Sequence, residues 1–230
     1  MATETVEISE RLRSLICKQK LVVFAGAGIS SGPPTRLPGW FKINRMIVEA
    51  LCVRVEFYLG RSEYLDQIRA AINERREIGR FPPDYQAQIL EEYAGQDYFR
   101  ALQSLDVNVR NAGHDALAHL ARNGTLAAIL TTNFDRLIEH ALDAVGVEYE
   151  VASEAASYER CYRAIKAGNG LKLPVLKVHG CVSDANSLVD TLKQRLLGRN
   201  SNLNRALELL IERHPWVYTG FSAADLETDD

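Results

Sequence analysis

The sequence predicts an α/β fold built on a doubly wound parallel sheet, and three observations carry that prediction. Short, continuous apolar runs recur along the chain, among them Leu21–Ala25 and Leu126–Leu130, as expected of strands buried on both faces. Segments with apolar residues at helical spacing separate these runs, which implies strand–helix–strand units. Most of the runs end in glycine, hydroxyl, amide or imidazole residues, and ligands bind at the carboxyl ends of strands in such sheets.

The elements follow in order. Ile8, Leu12, Leu15 and Ile16 recur at helical spacing, with Thr5 or Ser9 as cap. Leu21–Ala25 is the first strand and runs into Gly26-Ala27-Gly28. The stretch SGPPTRLPGW that follows is rich in Pro and Gly and reads as a mobile loop. Residues 41–59 read as an apolar helix. From about 61 to 111 the chain is charged and helically spaced (Leu65, Ile68, Ala71 and Ile72, then Ile89, Leu90 and Tyr93) and is broken at Phe81-Pro82-Pro83. This region reads as a helical insertion within a single domain spanning 1–230. His114–Arg122 is helical. Beyond it, strands at Leu126–Leu130, Glu148–Val151, Pro174–Val178 and Trp216–Phe221 alternate with helices at Asp135–Val145, Tyr158–Ala167, Leu188–Leu197 and Leu203–Glu212.

A chain of 230 residues buries a core without needing disulfides or metals. The formal net charge of −3 leaves no broad basic face, so direct nucleic-acid binding is not expected. Cys17, Cys52, Cys161 and Cys181 contain no C-x-x-C pair, which implies free thiols in a reducing compartment. The first residues, MATETVEISERLRS, carry acids where a signal peptide carries bases. No apolar run approaches the roughly 20 residues that span a bilayer. A cytoplasmic location and no membrane partner are the expectations.

Four strand ends carry chemical groups: Gly26-Ala27-Gly28-Ile29-Ser30, Thr131-Thr132-Asn133-Phe134-Asp135, His179-Gly180-Cys181, and Gly220-Phe221-Ser222 with Asp225 beyond. Each has a plain structural reading. Gly-x-Gly without the third glycine of the dinucleotide fingerprint can be only a tight turn. Asn133 or Asp135 can cap the next helix, as can Ser222. His179 can be a satisfied turn histidine, and His114, His119, His140 and His214 sit in helical stretches and read as structural. Cys181 beside an imidazole suggests a Cys–His nucleophile, but sequence neighbours rarely face each other in that geometry. Four such ends on one edge of a parallel sheet favour function over folding alone.

Together, GAGIS, TTNFD, KVHG and GFS in this order resemble the sirtuin family, and most of all the sirtuin-like NAD-cleaving (NADase) domains that serve as effectors in prokaryotic anti-phage defence. The resemblance covers Leu21–Asp225 and implies a Rossmann-like, sirtuin-type sheet with NAD as substrate. By resemblance, Gly26, Ala27, Gly28 and Ser30 lie along the NAD pyrophosphate and ribose. Asn133 and Asp135 lie beside the nicotinamide ribose and carboxamide, with Thr132 among the binding residues. Gly220, Ser222 and Asp225 lie on the adenosine side. Asn133 and His179 form the catalytic pair. Glycines at 26 and 28 would let backbone N–H groups approach the phosphates.

Two departures refine this. Protein-deacylating sirtuins carry a zinc module made of two C-x-x-C pairs after the His-Gly motif. Here VSDANSLVDTLKQRLLGRNSNLNRALELL stands in its place, so no metal is expected and deacylation is disfavoured. The family also continues beyond the GFS-like strand, whereas this chain stops at ETDD, which suggests the N-terminal part of a longer protein. The implied reaction is hydrolysis of NAD to nicotinamide and ADP-ribose. His179, with an ordinary pKa near 6.5, would be the general base. Asn133 would orient water or ribose through its amide. Ser31–Trp40 would be a lid, with Trp40 near the nicotinamide. Such an enzyme is expected to be silent until an oligomer or activating partner engages the insertion or the C-terminal region. The alternatives are a module that binds or senses NAD or ADP-ribose, a divergent NAD-dependent deacylase, and an inactive interaction domain.

Overall fold

The computed structural model describes residues 9–10, 13–14, 18–63, 65–67, 70, 82–168 and 172–221. Ile8, Leu12, Leu15, Ile16 and Cys17 lie outside the described residues, as do Ile68, Ala71, Ile72, Phe81, Ser222 and Asp225. Five parallel strands form one sheet in the order β3-β4-β2-β1-β5. They are β1 (Leu21–Ala25), β2 (Leu126–Thr131), β3 (Tyr149–Ala152), β4 (Leu173–Lys177) and β5 (Trp216–Thr219). The helices are α1 (Trp40–Leu59), α2 (Pro83–Ala94), α3 (Gln96–Leu102), α4 (Ala112–Arg122), α5 (Leu137–Ala144), α6 (Ala155–Ala167), α7 (Leu192–Leu196) and α8 (Ser201–Arg213). The doubly wound α/β fold expected from the sequence is present.

Strand periodicity explains the two layers. Leu21, Val23 and Ala25 of β1 face α4 and α5, packing with Leu117, Ala118, Ile138, Ala141 and Leu142. Val22 faces α6 and α8, with Tyr158, Cys161, Leu203, Ala206 and Leu210. The register slips between Leu21, opposite Leu126, and Val22, opposite Ala128, so β2 carries one extra residue, Ala127. That bulge keeps Leu126 and Ile129 in the first layer and Ala128 and Leu130 in the second.

A third cluster packs α1, α2 and α3 (Ile43, Ile47, Ala87, Leu90, Tyr98, Phe99, Leu102) onto Val182 and Leu188 of the loop after β4. Leu37, Trp40 and Phe134 pack at its margin. The helical region is thereby seated over the carboxyl edge of the sheet. The Ser31–Gly39 segment, expected to be mobile, is tied at several points: Leu37 N–H to Ser30 O (2.9 Å), Arg36 N–H to Gly32 O (3.0 Å) and the Thr35 hydroxyl to Val109 O (2.7 Å). No described helix is long and apolar enough to cross a membrane.

Candidate functional site

Parallel strands place all their carboxyl ends on one edge. Here the turn after β1 meets the turn after β5 directly. Gly26 N–H donates to Thr219 O (2.9 Å) and Gly28 N–H to Gly220 O (2.7 Å). A Cβ on Gly26 would lie 2.6 Å from Gly220 O, and one on Gly28 would lie 2.7 Å from Gly220 Cα. The close approach that the sequence assigned to a dinucleotide is thus made by the chain's own backbone. The Gly26 and Gly28 N–H groups are spent inside the fold rather than left for phosphates. Ala27, between them, is exposed.

Ser30, next on this turn, is buried and organises the centre of the site. Asn111 N–H donates to His114 Nδ1 (3.2 Å), so the neutral ring carries its proton on Nε2 and donates to Ser30 Oγ (3.1 Å). Burial favours that neutral form by lowering the His114 pKa, against the raising effect of Asp135 and Asp115. Ser30 Oγ also accepts from Asn133 Nδ2 (3.2 Å) and donates to Asp135 Oδ2 (2.9 Å). One donor and two acceptor sites of the hydroxyl are then all used, which fixes its orientation. The other Asp135 oxygen accepts from the N–H of Leu137, the first residue of α5 (3.0 Å).

Asn133 comes out of this network with its amide nitrogen committed to Ser30. Its N–H is held by the Thr131 hydroxyl (3.0 Å), and its Oδ1 is buried without a partner. Only one of the two Nδ2 protons is used on Ser30, so it offers a ligand the Oδ1 acceptor together with its second amide proton. Thr132, beside it, closes its N–H on Ala25 O (3.3 Å).

His179 follows the neighbouring strand. Thr131 pairs with Lys177, so Asn133 and His179 each lie two residues beyond a matched pair on adjacent strands. The imidazole is 8% exposed and packs between Trp40 (ring centroids 6.1 Å apart) and Phe134 (6.4 Å). Burial, then the Arg195 and Arg199 guanidiniums, push its pKa down to about 4. The ordinary value expected from the sequence is therefore corrected: the ring is neutral at physiological pH but weakly basic. Arg195 lies over the Trp40 ring at 5.8 Å and pairs with Asp84 (3.2 Å). Trp40, expected near the nicotinamide, packs against the candidate base.

The structure thus joins Ser30, Asn133 and Asp135 by hydrogen bonds, and Gly26 and Gly28 to Gly220. It places His179 beside them without a hydrogen bond to any of these residues. Sequence reasoning missed His114, whose partner lies 84 residues earlier, and the fully buried Lys177, whose only signal is a lysine inside an apolar run. Among the described residues, no group of three or more His, Cys, Asp and Glu side chains is disposed to hold a metal ion. A cleft of about 610 Å³ opens at the opposite edge, lined by the carboxyl ends of α4, α6 and α8 and by Lys20, Arg122, Lys172 and Arg213. Cations there complement helix carbonyl ends, as Arg213 does by donating to Ile165 O (2.9 Å).

Three of the four strand-end motifs, TTNFD, KVHG and GFS, fall within a match to a family model, and GAGIS lies before it. Residues 127–230 match the family model of the SIR2-like domain. The match supports a sirtuin-like family and points to NAD-related activity. It takes in Asn133, Asp135, His179 and Gly220, whereas Ser30 and His114 lie before it. No curated protein matches the chain.

Proposed function

We propose that this protein is an NAD glycohydrolase that cleaves NAD to nicotinamide and ADP-ribose, a regulated effector that depletes NAD in anti-phage defence. The observation that carries the reading is Asn133 Oδ1, a buried acceptor without a partner, held by Ser30 at a strand end adjoining that of His179. A buried polar atom left unpaired costs free energy, and a ligand donor there recovers it. The residues present fit NAD: an acceptor for a ribose hydroxyl or water, aromatic walls at Trp40 and Phe134, and cationic Arg195 beside them.

NAD supplies a positively charged leaving group, so its departure needs no protonation by the protein. Asn133 Oδ1 accepts from a water or ribose hydroxyl and orients it. As the ribose–nicotinamide bond breaks, the oriented water's oxygen bonds to the ribose carbon, and His179, neutral, receives that water's proton at a ring nitrogen. An anion bound at Arg195 or Arg199 would offset the charges that depress His179 and so raise its basicity. Trp40 and Phe134 pack against the imidazole and hold its place beside the reacting water. Self-association or an activating partner remains part of the reading, and the exposed Phe57, Tyr58 and Leu59 at the end of α1 support it.

One observation favours a second reading, a module that binds NAD or ADP-ribose without turnover: the weak basicity of His179. Product analysis separates the two. Nicotinamide and ADP-ribose should appear when the protein is incubated with NAD under activating conditions, and should be lost in His179→Ala. Saturable NAD binding with no product would replace the enzyme by the sensor.

A further inference from the structure

Lys177 is the last residue of β4, two positions before His179, and its side chain is fully buried. Lysine is rarely buried to that extent unless it is paired. Its ammonium donates to Glu139 Oε1 (2.8 Å) and to the backbone carbonyl of Asp135. Glu139, in the first turn of α5, is itself 5% exposed. The Tyr158 hydroxyl donates to the Lys177 carbonyl (2.6 Å), so the strand end is held from the second layer as well.

A buried ion pair is weak evidence for stability, because well-packed apolar residues often replace one at no loss. The geometry gives this pair another consequence. The Asp135 carbonyl belongs to the turn that carries Asn133, while Lys177 belongs to the strand that carries His179. Two main-chain bonds already span these loops, Val178 N–H to Thr131 O (2.9 Å) and Val182 N–H to Phe134 O (3.0 Å). The ammonium adds a third tie, at the residue beyond Phe134.

We propose that Lys177 is a positioning residue: anchored by Glu139, it fixes the Asp135 carbonyl and thereby sets the Asn133 turn against His179. The catalytic consequence rests on the NAD-cleavage reading; the structural one does not.

Lys177→Met alone leaves the Glu139 carboxylate buried without its partner and should lower Tm. The double variant Lys177→Met, Glu139→Leu removes both charges and should recover a Tm close to wild type. In that variant, hydrogen exchange at the Asn133 and Val182 amides should quicken by about tenfold while Val23 and Ile129 are unchanged. Nicotinamide release should fall about tenfold or more in kcat with KM within about twofold, as misplacement without lost binding requires. Glu139→Gln keeps an acceptor for the ammonium and should leave both readouts near wild type. Unchanged exchange at Asn133 and Val182 in the folded double variant overturns the proposal, whatever the substrate. So does a folded Glu139→Gln protein as impaired as Lys177→Met, since the charge pair rather than the tie would then matter. A wild-type protein that releases no nicotinamide defeats the NAD reading and leaves the exchange result to decide the role of Lys177.

Discussion

Gly28 and Gly220 meet backbone to backbone: Gly28 N–H donates to the Gly220 carbonyl at 2.7 Å, and a Cβ on Gly220 would lie 2.2 Å from Ile29 N. Neither neighbour is a flexible side chain, so neither can give way. Gly220 also has φ +62°, where an L side chain is strained. Gly28→Ala should therefore cost stability, about 1–3 kcal/mol, and Gly220→Ala should cost more, having both penalties. Urea unfolding checks this. A Gly28→Ala protein as stable as wild type would show that the two turns do not abut.

His179 has a folded pKa of about 4, below its ordinary 6.5, so the unfolded chain binds the proton more readily between those values. The contribution of this group is present above pH 6.5 and is lost as pH falls towards 4, on the order of 3 kcal/mol in all. His114, also depressed by burial, acts with the same sign. The acid limb of kcat/KM should accordingly lie well below 6.5, and Arg195→Gln should move it upward by removing a repelling charge. A wild-type limb near 6.5 would contradict the burial of the ring.

Asp190 shows the opposite sign. It is fully buried, and the Tyr98 hydroxyl donates to its Oδ2. Burial pushes its pKa up to about 7, against the lowering effects of Tyr98, Trp40 and Arg195, while Asp84 adds to the rise. The folded protein then holds a proton that the unfolded chain releases, so stability from this group declines as pH rises from about 4 to 7. Asp190→Asn cannot ionise, so it should gain on wild type steadily across that window and level off above it. Parallel curves from pH 4 to 7 would mean that Asp190 is already ionised in the folded protein.

The sheet was legible because runs such as Leu21–Ala25 and Leu126–Leu130 are apolar without alternation, which suits a layer covered on both faces. The shared edge of the candidate residues followed from parallel strands alone. The partner of the glycines was not legible, because it depends on β5 lying beside β1, a matter of strand order that no local pattern encodes. His114 read as structural because its bond to Ser30 closes a gap of 84 residues. The weak basicity of His179 depends on burial beside Trp40 and on Arg195, both brought up by distant helices.

Asn133 offers the sharpest test, since the competing explanation for it has moved. As a helix cap it would tolerate Asp or Ser, but the Leu137 N–H at the start of α5 is taken by Asp135 Oδ1 and not by Asn133. Asn133 donates to a Ser30 hydroxyl whose own proton goes to Asp135 Oδ2. Asn133→Asp has no donor for Ser30 and sets a second carboxylate against a hydroxyl with no proton left to give. It should lower Tm and reduce turnover by roughly a hundredfold or more, the scale of a lost electrostatic contact at a reacting centre. Asn133→Ser is too short to reach either partner, and it should cost only about 1 kcal/mol for the lost hydrogen bond while losing turnover to a similar extent. The two variants thus separate in stability and coincide in activity. Should Asn133→Asp melt with the wild type and still release nicotinamide at its rate, Ser30 does not orient the amide, and Asn133 leaves the proposed catalytic pair.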